Sequence, residues 1–149
     1  MKALTTLLVI GMFATAVAMA DDADDVRAAV QSFVAALNAG DAGALTRLHA
    51  TANTNFGARG GLLETYNSPE ERRQAFQATR VKFNVQARHI DVRIYGSSTA
   101  VATNYGVGRI TRPDGTTGQV NNRITAVLIK QGGQWKIVHQ HLSPVRLPQ

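Results

Sequence analysis

Apolar positions recur at three rhythms along the chain. From Ala3 to Ala20 they are nearly continuous, and from Val26 to Leu37 they are helical. From Val81 onward they alternate as strands do. In the helical stretch Val26, Val30, Phe33 and Leu37 are spaced by four, three and four, which puts one apolar stripe on one face. The aspartates Asp21, Asp22, Asp24 and Asp25 suit the start of that helix, where unpaired N–H groups and the macrodipole favour negative charge. Gly40 suits its left-handed end. Asp41 can cap a second short helix that turns Leu45 and Leu48 inward. Between Ala50 and Gly61 the chain is polar and glycine-punctuated, which predicts loop, with a short strand at Leu62–Glu64. Ser68-Pro69-Glu70-Glu71 then forms a capping box with proline at the first helical position, so a third helix should run to about Thr79 with Phe76 on its buried side.

Four alternating runs follow, roughly 81–95, 99–112, 117–131 and 134–143. They are separated by Gly96-Ser97-Ser98, Pro113-Asp114-Gly115 and Gly132-Gly133. Connections this short force antiparallel neighbours. The prediction is an α+β domain with three N-terminal helices on one face of a curved antiparallel sheet of four long strands plus a short one. Strands of about 14 residues, against a usual five or six, must twist and curl over a small core. In the first of them the apolar set changes phase, from Phe83, Val85 and Ala87 to Ile90, Val92 and Ile94, which predicts a β-bulge near Arg88. Gly106 and Gly108 mark bends or close approaches in the second. Helices across a curled sheet leave a conical hollow, the default place for a ligand.

Composition refines this picture. The 149 residues hold no cysteine, which excludes disulfides and thiolate metal sites. Lys2 precedes the apolar run, and Ala18-Met19-Ala20 has the small-x-small pattern of a cleavage site, so residues 1–20 read as an export signal cut between Ala20 and Asp21. A membrane anchor is the rival reading, weakened by Thr5, Thr6 and Thr15. The remaining domain, 21–149, is then expected in the periplasm or outside the cell. The formal charge of +6 conceals an asymmetry, because the body from Val26 onward has 15 bases and 6 acids, a difference of +9. The bases are spread along all the strands rather than clustered with aromatics, which argues against nucleic acid. An acidic ligand, or weak contact with an anionic envelope surface, fits better.

Ala36-Leu37-Asn38-Ala39-Gly40-Asp41, the capped helix at Ser68 and above all the segment from Gly133 to Ser143, with Trp135, His139, His141 and Ser143, resemble the nuclear transport factor 2-like superfamily. Within it the chain is similar to the SnoaL-like proteins and the association domain of calmodulin-dependent kinase II. The resemblance spans roughly Val26 to Val145. It implies a cone-shaped fold with a pocket, often dimeric through the outer sheet face, here expected to include the run Ile124–Ile129. Where the kinase domain's pocket arginine is expected, just after Thr125, this chain has Ala126, with Arg123 nearby. The superfamily holds isomerases, dehydratases, cyclases and binding modules, so the fold alone selects no reaction.

Isomerase or dehydratase chemistry in such a cone needs a base and an oxyanion donor. With the capping and turn acids set aside, Asp91 is the leading acid and Glu64 the weaker one. Asp91 is expected mid-strand on the face of His89, Arg93 and Tyr95, where a surface ion pair is the simpler reading. His139 and His141, two apart on a strand, are expected on the face carrying Trp135 and Ile137. A metal there would need a third ligand such as His89 or Asp91, and the spacing demands none, so no metal or cofactor is assigned. The candidate pocket residues are Tyr66, Asn104, Tyr105, Asn122, Arg123, Trp135, His139 and His141; Asp91, His139 and His141 are the candidate catalytic ones. Two functions stay open. One is an exported small-molecule-binding or assembly module acting as a homodimer. The other is a cofactor-free lyase or isomerase of the ketosteroid isomerase or polyketide cyclase type.

Overall fold

The computed structural model describes residues 10–145, and their side chains from residue 22 onward. The first nine residues, the side chains of the rest of the proposed export signal, and Arg146 lie outside that description. Three helices, α1 (Ile10–Ala39), α2 (Ala42–Arg47) and α3 (Pro69–Thr79), accompany six strands. The strands are β1 (His49–Phe56), β2 (Glu64–Tyr66), β3 (Lys82–Tyr95), β4 (Thr99–Thr111), β5 (Thr117–Gln131) and β6 (Gln134–Pro144). Helix α1 begins before Asp21, so in the uncut chain the four aspartates lie within it rather than at its start. Asp24 pairs with Arg27, and Asp22 with Lys130 on β5. Lys130 also stands 5.7 Å over the Trp135 ring, tying this helix to the β5–β6 hairpin.

Local chemistry sets the helix ends. Gly40 adopts φ 68°, and the N–H groups of Gly40 and Asp41 reach back to the carbonyls of Leu37 and Ala36. Asp41 Oδ1 accepts from Ala44 N at 2.8 Å and caps α2. At α3, Ser68 Oγ accepts from Glu71 N at 3.2 Å, and Glu71 Oε2 takes the N–H of Asn67 at 2.7 Å. Phe76 stacks on Phe83 of β3 at 6.3 Å.

The sheet runs in the order β2-β1-β6-β5-β4-β3. The meander β3 to β6 is antiparallel, as expected, but the sheet as a whole is mixed, because β1 lies parallel to β6. The segment read as loop after Ala50 is therefore largely strand. Its sequence, His-Ala-Thr-Ala-Asn-Thr-Asn-Phe, has no apolar alternation to announce it, and its parallel partners on β6 lie more than eighty residues away. The short strand falls at Glu64–Tyr66, slightly later than expected.

Two bulges curl the antiparallel meander. In β3 the register shifts between Arg88 and Asp91, and His89 sits at φ 54°, so Ala87 and Ile90 both face the helices. In β6 the register shifts once more: Leu128 pairs with Ile137, but Val127 pairs with His139, leaving Val138 over. Gly108 takes φ 148°, with backbone of Asn84 and Val85 so close that a Cβ would lie 2.2 Å from Asn84 O. Ala100, Ala102, Ala126, Leu128, Trp135 and Ile137 on the sheet meet Val26 and Val30 of α1 to form the core. The small alanines let the helix approach at this end. Beyond them the sheet curls away, and the cone opens.

Candidate functional site

Between α1, the end of α3 and the concave face of the sheet lies a cavity of about 620 Å³. Its narrow end is floored by Val30, Phe33, Ala126 and Ile137, and Phe83, Ile110, Val120, Ile124 and Leu142 widen it toward the strand ends. The wide end is bordered by Thr79, Val81 and the loop residues Gly57, Ala58, Arg59 and Gly61. Gly106 adds room, since a Cβ there would lie 2.8 Å from Ile124 Cδ1. Polar groups are few and mostly uncharged: the amides of Gln86, Asn104, Asn122 and Gln140, with Glu64 and Arg59 near the loop.

Gln140 is the best supported of these amides. It is buried, its Oε1 lies 3.3 Å from His49 Nε2, and Arg72 Nη2 donates to the same oxygen at 3.4 Å. His49 Nδ1 stands 2.7 Å from the Leu45 carbonyl, which only accepts, so Nδ1 carries the proton and Nε2, bare in the neutral ring, makes no hydrogen bond to Gln140 Oε1. Burial, and then the charge of Arg72, push the His49 pKa down to about 4, so the imidazole is neutral near pH 7. Arg72 also donates to Asn53 Oδ1 at 3.1 Å and lies 4.7 Å above the Tyr66 ring. Tyr66 donates to Glu64 Oε2 at 2.9 Å, and Asn55 Nδ2 donates to the same oxygen at 2.8 Å. Burial raises the Tyr66 pKa, and the Glu64 contact adds to the rise. A polar network thus backs one wall of an otherwise apolar hollow, offering the cavity Gln140 and Glu64 as its front members.

The candidates named from sequence do not converge on one site. Asn104 and Asn122 line the cavity. Tyr105 and Arg123 pair across β4 and β5 on the convex face, where both are exposed. His139 and His141 are on that face too, which corrects the expectation that they share the side of Trp135 and Ile137: the extra residue at Val138 reverses side-chain parity, so that Gln140 and Leu142 point inward instead. His139 Nδ1 meets Thr54 Oγ1 at 2.8 Å, and Phe56 stands 5.9 and 5.5 Å from the two imidazoles. Asp91 is exposed and pairs with Arg93 at 3.2 Å, the surface ion pair that its strand position suggested. Trp135 is buried in the core. Tyr66 stands behind Glu64 in the supporting network. The residues that sequence reasoning passed over are Gln140, Arg59 and the aliphatic wall of β5. The last of these was legible in the alternation of Val120, Asn122 and Ile124. Among the described residues no group of three or more His, Cys, Asp or Glu side chains could hold a metal ion.

The sequence profile of the SnoaL-like domain matches residues 26–147. The chain belongs to the SnoaL-like domain family. Solved structures agree on the cone. A ketosteroid isomerase-like protein from Erwinia carotovora atroseptica superposes with a TM-score of 0.74 at 17% identity, covering 85% of this chain and 98% of that one. The calmodulin-dependent kinase II hub homology domain of Chlamydomonas reinhardtii gives 0.68 at 23% identity, covering 84% and 98%. A nuclear transport factor 2-like protein from Rhodospirillum rubrum gives 0.70 at 20%, covering 81% and 98%. Likeness at this identity establishes the fold alone. No curated protein matches the sequence.

Proposed function

We propose that this SnoaL-like protein is an exported module that binds a mainly apolar small molecule inside its cone. The observation that carries the reading is the cavity itself. Its volume of about 620 Å³ lies within the range of small-molecule sites, and its lining is aliphatic and aromatic with a few neutral amides to orient a ligand. Export rests on Lys2, the apolar run to Ala20 and the Ala-Met-Ala ending. Among the described residues, no helix is long and apolar enough to cross a membrane. Pairing of two copies through the convex face is part of the same reading, supported by Thr125, Val127 and Ile129, which leave that side of β5 half-buried rather than charged.

Native mass spectrometry of protein purified from its own cell should show a small molecule travelling with the chain and a start at Asp21. A fluorescent apolar probe should bind the emptied protein with one site per chain. Val120→Trp, which places an indole in the wide part of the cavity, should reduce that binding at least about tenfold while leaving the circular dichroism unchanged. Probe binding unaffected by Val120→Trp would defeat the reading.

A catalytic alternative has one feature in its favour. Glu64 is the one carboxylate among the described residues lining the cavity, and Tyr66 Oη donates to it. A lyase or isomerase here would use Glu64 as base, and Glu64→Gln would abolish turnover of an identified substrate.

A further inference from the structure

The loop between β1 and β2 combines two features that seldom occur together on a protein surface. Its first half, Gly57 to Gly61, borders the cavity, and its second half presents Leu62 at 92% exposure and Leu63 at 47%. Gly60 takes φ 75°, and neither Gly60 nor Gly61 has a heavy atom within 4 Å of where a Cβ would stand, so the loop reaches outward without packing on its surroundings. Two adjacent leucines left in water are unusual where nothing covers them.

The charge around them is one-sided. Strand register sets one end of the sheet: Lys82 pairs with Thr111, Thr111 with Thr117, and Phe56 with His141. This is the end where the cavity is widest and where the leucine loop projects. Arg59, Arg80, Lys82, Arg109 and Arg112 all belong to this end of the sheet, Lys82 and Arg109 on its convex side, against the acids Glu64 and Asp114. Asp114 already accepts from Thr116 in its own hairpin, and Glu64 already accepts from Asn55 and Tyr66. Arg80, Lys82 and Arg109 are exposed and make no ion pair among the described residues. An apolar tip beside an apolar cavity, on an end of the sheet rich in unpaired bases, complements a surface that is negative outside and hydrocarbon beneath.

We propose that the mouth of the cone docks on an anionic lipid surface, with Leu62 and Leu63 at the boundary between headgroups and acyl chains and the surrounding bases over the headgroups. The proposal concerns delivery rather than the cavity's content, and its test separates the two. The purified protein is mixed with vesicles of pure phosphatidylcholine, or with about one-third phosphatidylglycerol, and floated on a density gradient. Binding should be at least about tenfold stronger to the anionic vesicles and should weaken as salt rises from about 0.1 to about 0.5 M. Leu62→Ser combined with Leu63→Ser should lose about tenfold in vesicle binding while still taking up an apolar probe in lipid-free solution. Lys82→Gln with Arg80→Gln should remove most of the preference for phosphatidylglycerol. Lys136→Gln, at the opposite end of the sheet, should remove none of it. Equal binding to both vesicles, or full binding by the double serine variant, overturns the proposal. So does a wild-type protein that ignores vesicles but self-associates through the leucines, which light scattering of the same variants would reveal. A protein that floats yet takes up no probe upholds the docking surface while removing the cavity reading.

Discussion

Acidification should loosen this domain through one buried imidazole. His49 is 7% exposed, packs edge-on against Phe33 at 5.8 Å and shares its surroundings with the Arg72 guanidinium. Burial and that positive charge push its pKa from 6.5 to about 4, against the smaller opposing pull of its contacts with Leu45 and Gln140. In the unfolded chain the same side chain titrates near 6.5. Between the two values the unfolded state binds a proton that the folded state refuses, so stability falls as pH falls. The contribution is fully present above pH 6.5 and is lost on the way down to about pH 4, with a total of about 3 kcal/mol. Urea unfolding of the wild type and of His49→Gln, at steps from neutral pH down to pH 4, isolates the effect. Carboxylates titrate in both proteins and cancel in the difference. The variant should be the less stable at neutral pH, because it loses the Leu45 hydrogen bond and the packing on Phe33, and its disadvantage should shrink by about 3 kcal/mol as the pH falls. A difference that stays constant with pH, or an imidazole resonance of His49 titrating near 6.5, would refute the reasoning.

Other substitutions address the frame and the two faces of the sheet. Gly108→Ala should cost more than about 2 kcal/mol in denaturant unfolding, because the new Cβ would strike Asn84 O at a backbone angle that disfavours any side chain. Ile137→Ala, at a position 1% exposed between α1 and the sheet, should cost about 3 to 4 kcal/mol by the same measurement. Asp91→Asn, His139→Ala and His141→Ala should leave apolar probe binding within about twofold of wild type, since all three side chains lie outside the cavity, and a larger loss in isothermal titration would contradict that placement.

The sequence made the frame more legible than the site. The end of α1 at Gly40, the caps at Asp41 and Ser68 and the four long strands could all be read, because each is written in local chemistry: a left-handed glycine, a side-chain acceptor, an alternation of period two. The β3 bulge was equally readable, since Phe83, Val85 and Ala87 and then Ile90, Val92 and Ile94 record the change of phase in apolar residues. The β6 bulge left a much fainter trace. Between Ile137 and Leu142 the inward position is taken by Gln140, a polar residue, and only the odd spacing from Trp135 to Leu142 betrays the shift. Two histidines were thus placed on the wrong face, and the amide that replaces them was overlooked. Strand β1 was hidden for another reason. It is held between β6, at the far end of the chain, and the three-residue β2, and a mostly polar strand with such partners carries no local apolar signature.

The bulge at Val138 also suggests how such a cone could change its chemistry over evolutionary time. Flattening that bulge without changing the length of the chain, so that Val138 takes an ordinary place opposite Val127, would restore strict alternation along the last strand, moving His139 and His141 to the concave side and sending Gln140 and Leu142 outward. A hollow lined by amides and hydrocarbon would then gain two titratable imidazoles, with every other wall left as it was. A one-residue slip of register, rather than a series of substitutions, separates a site that holds molecules from one that exchanges protons with them.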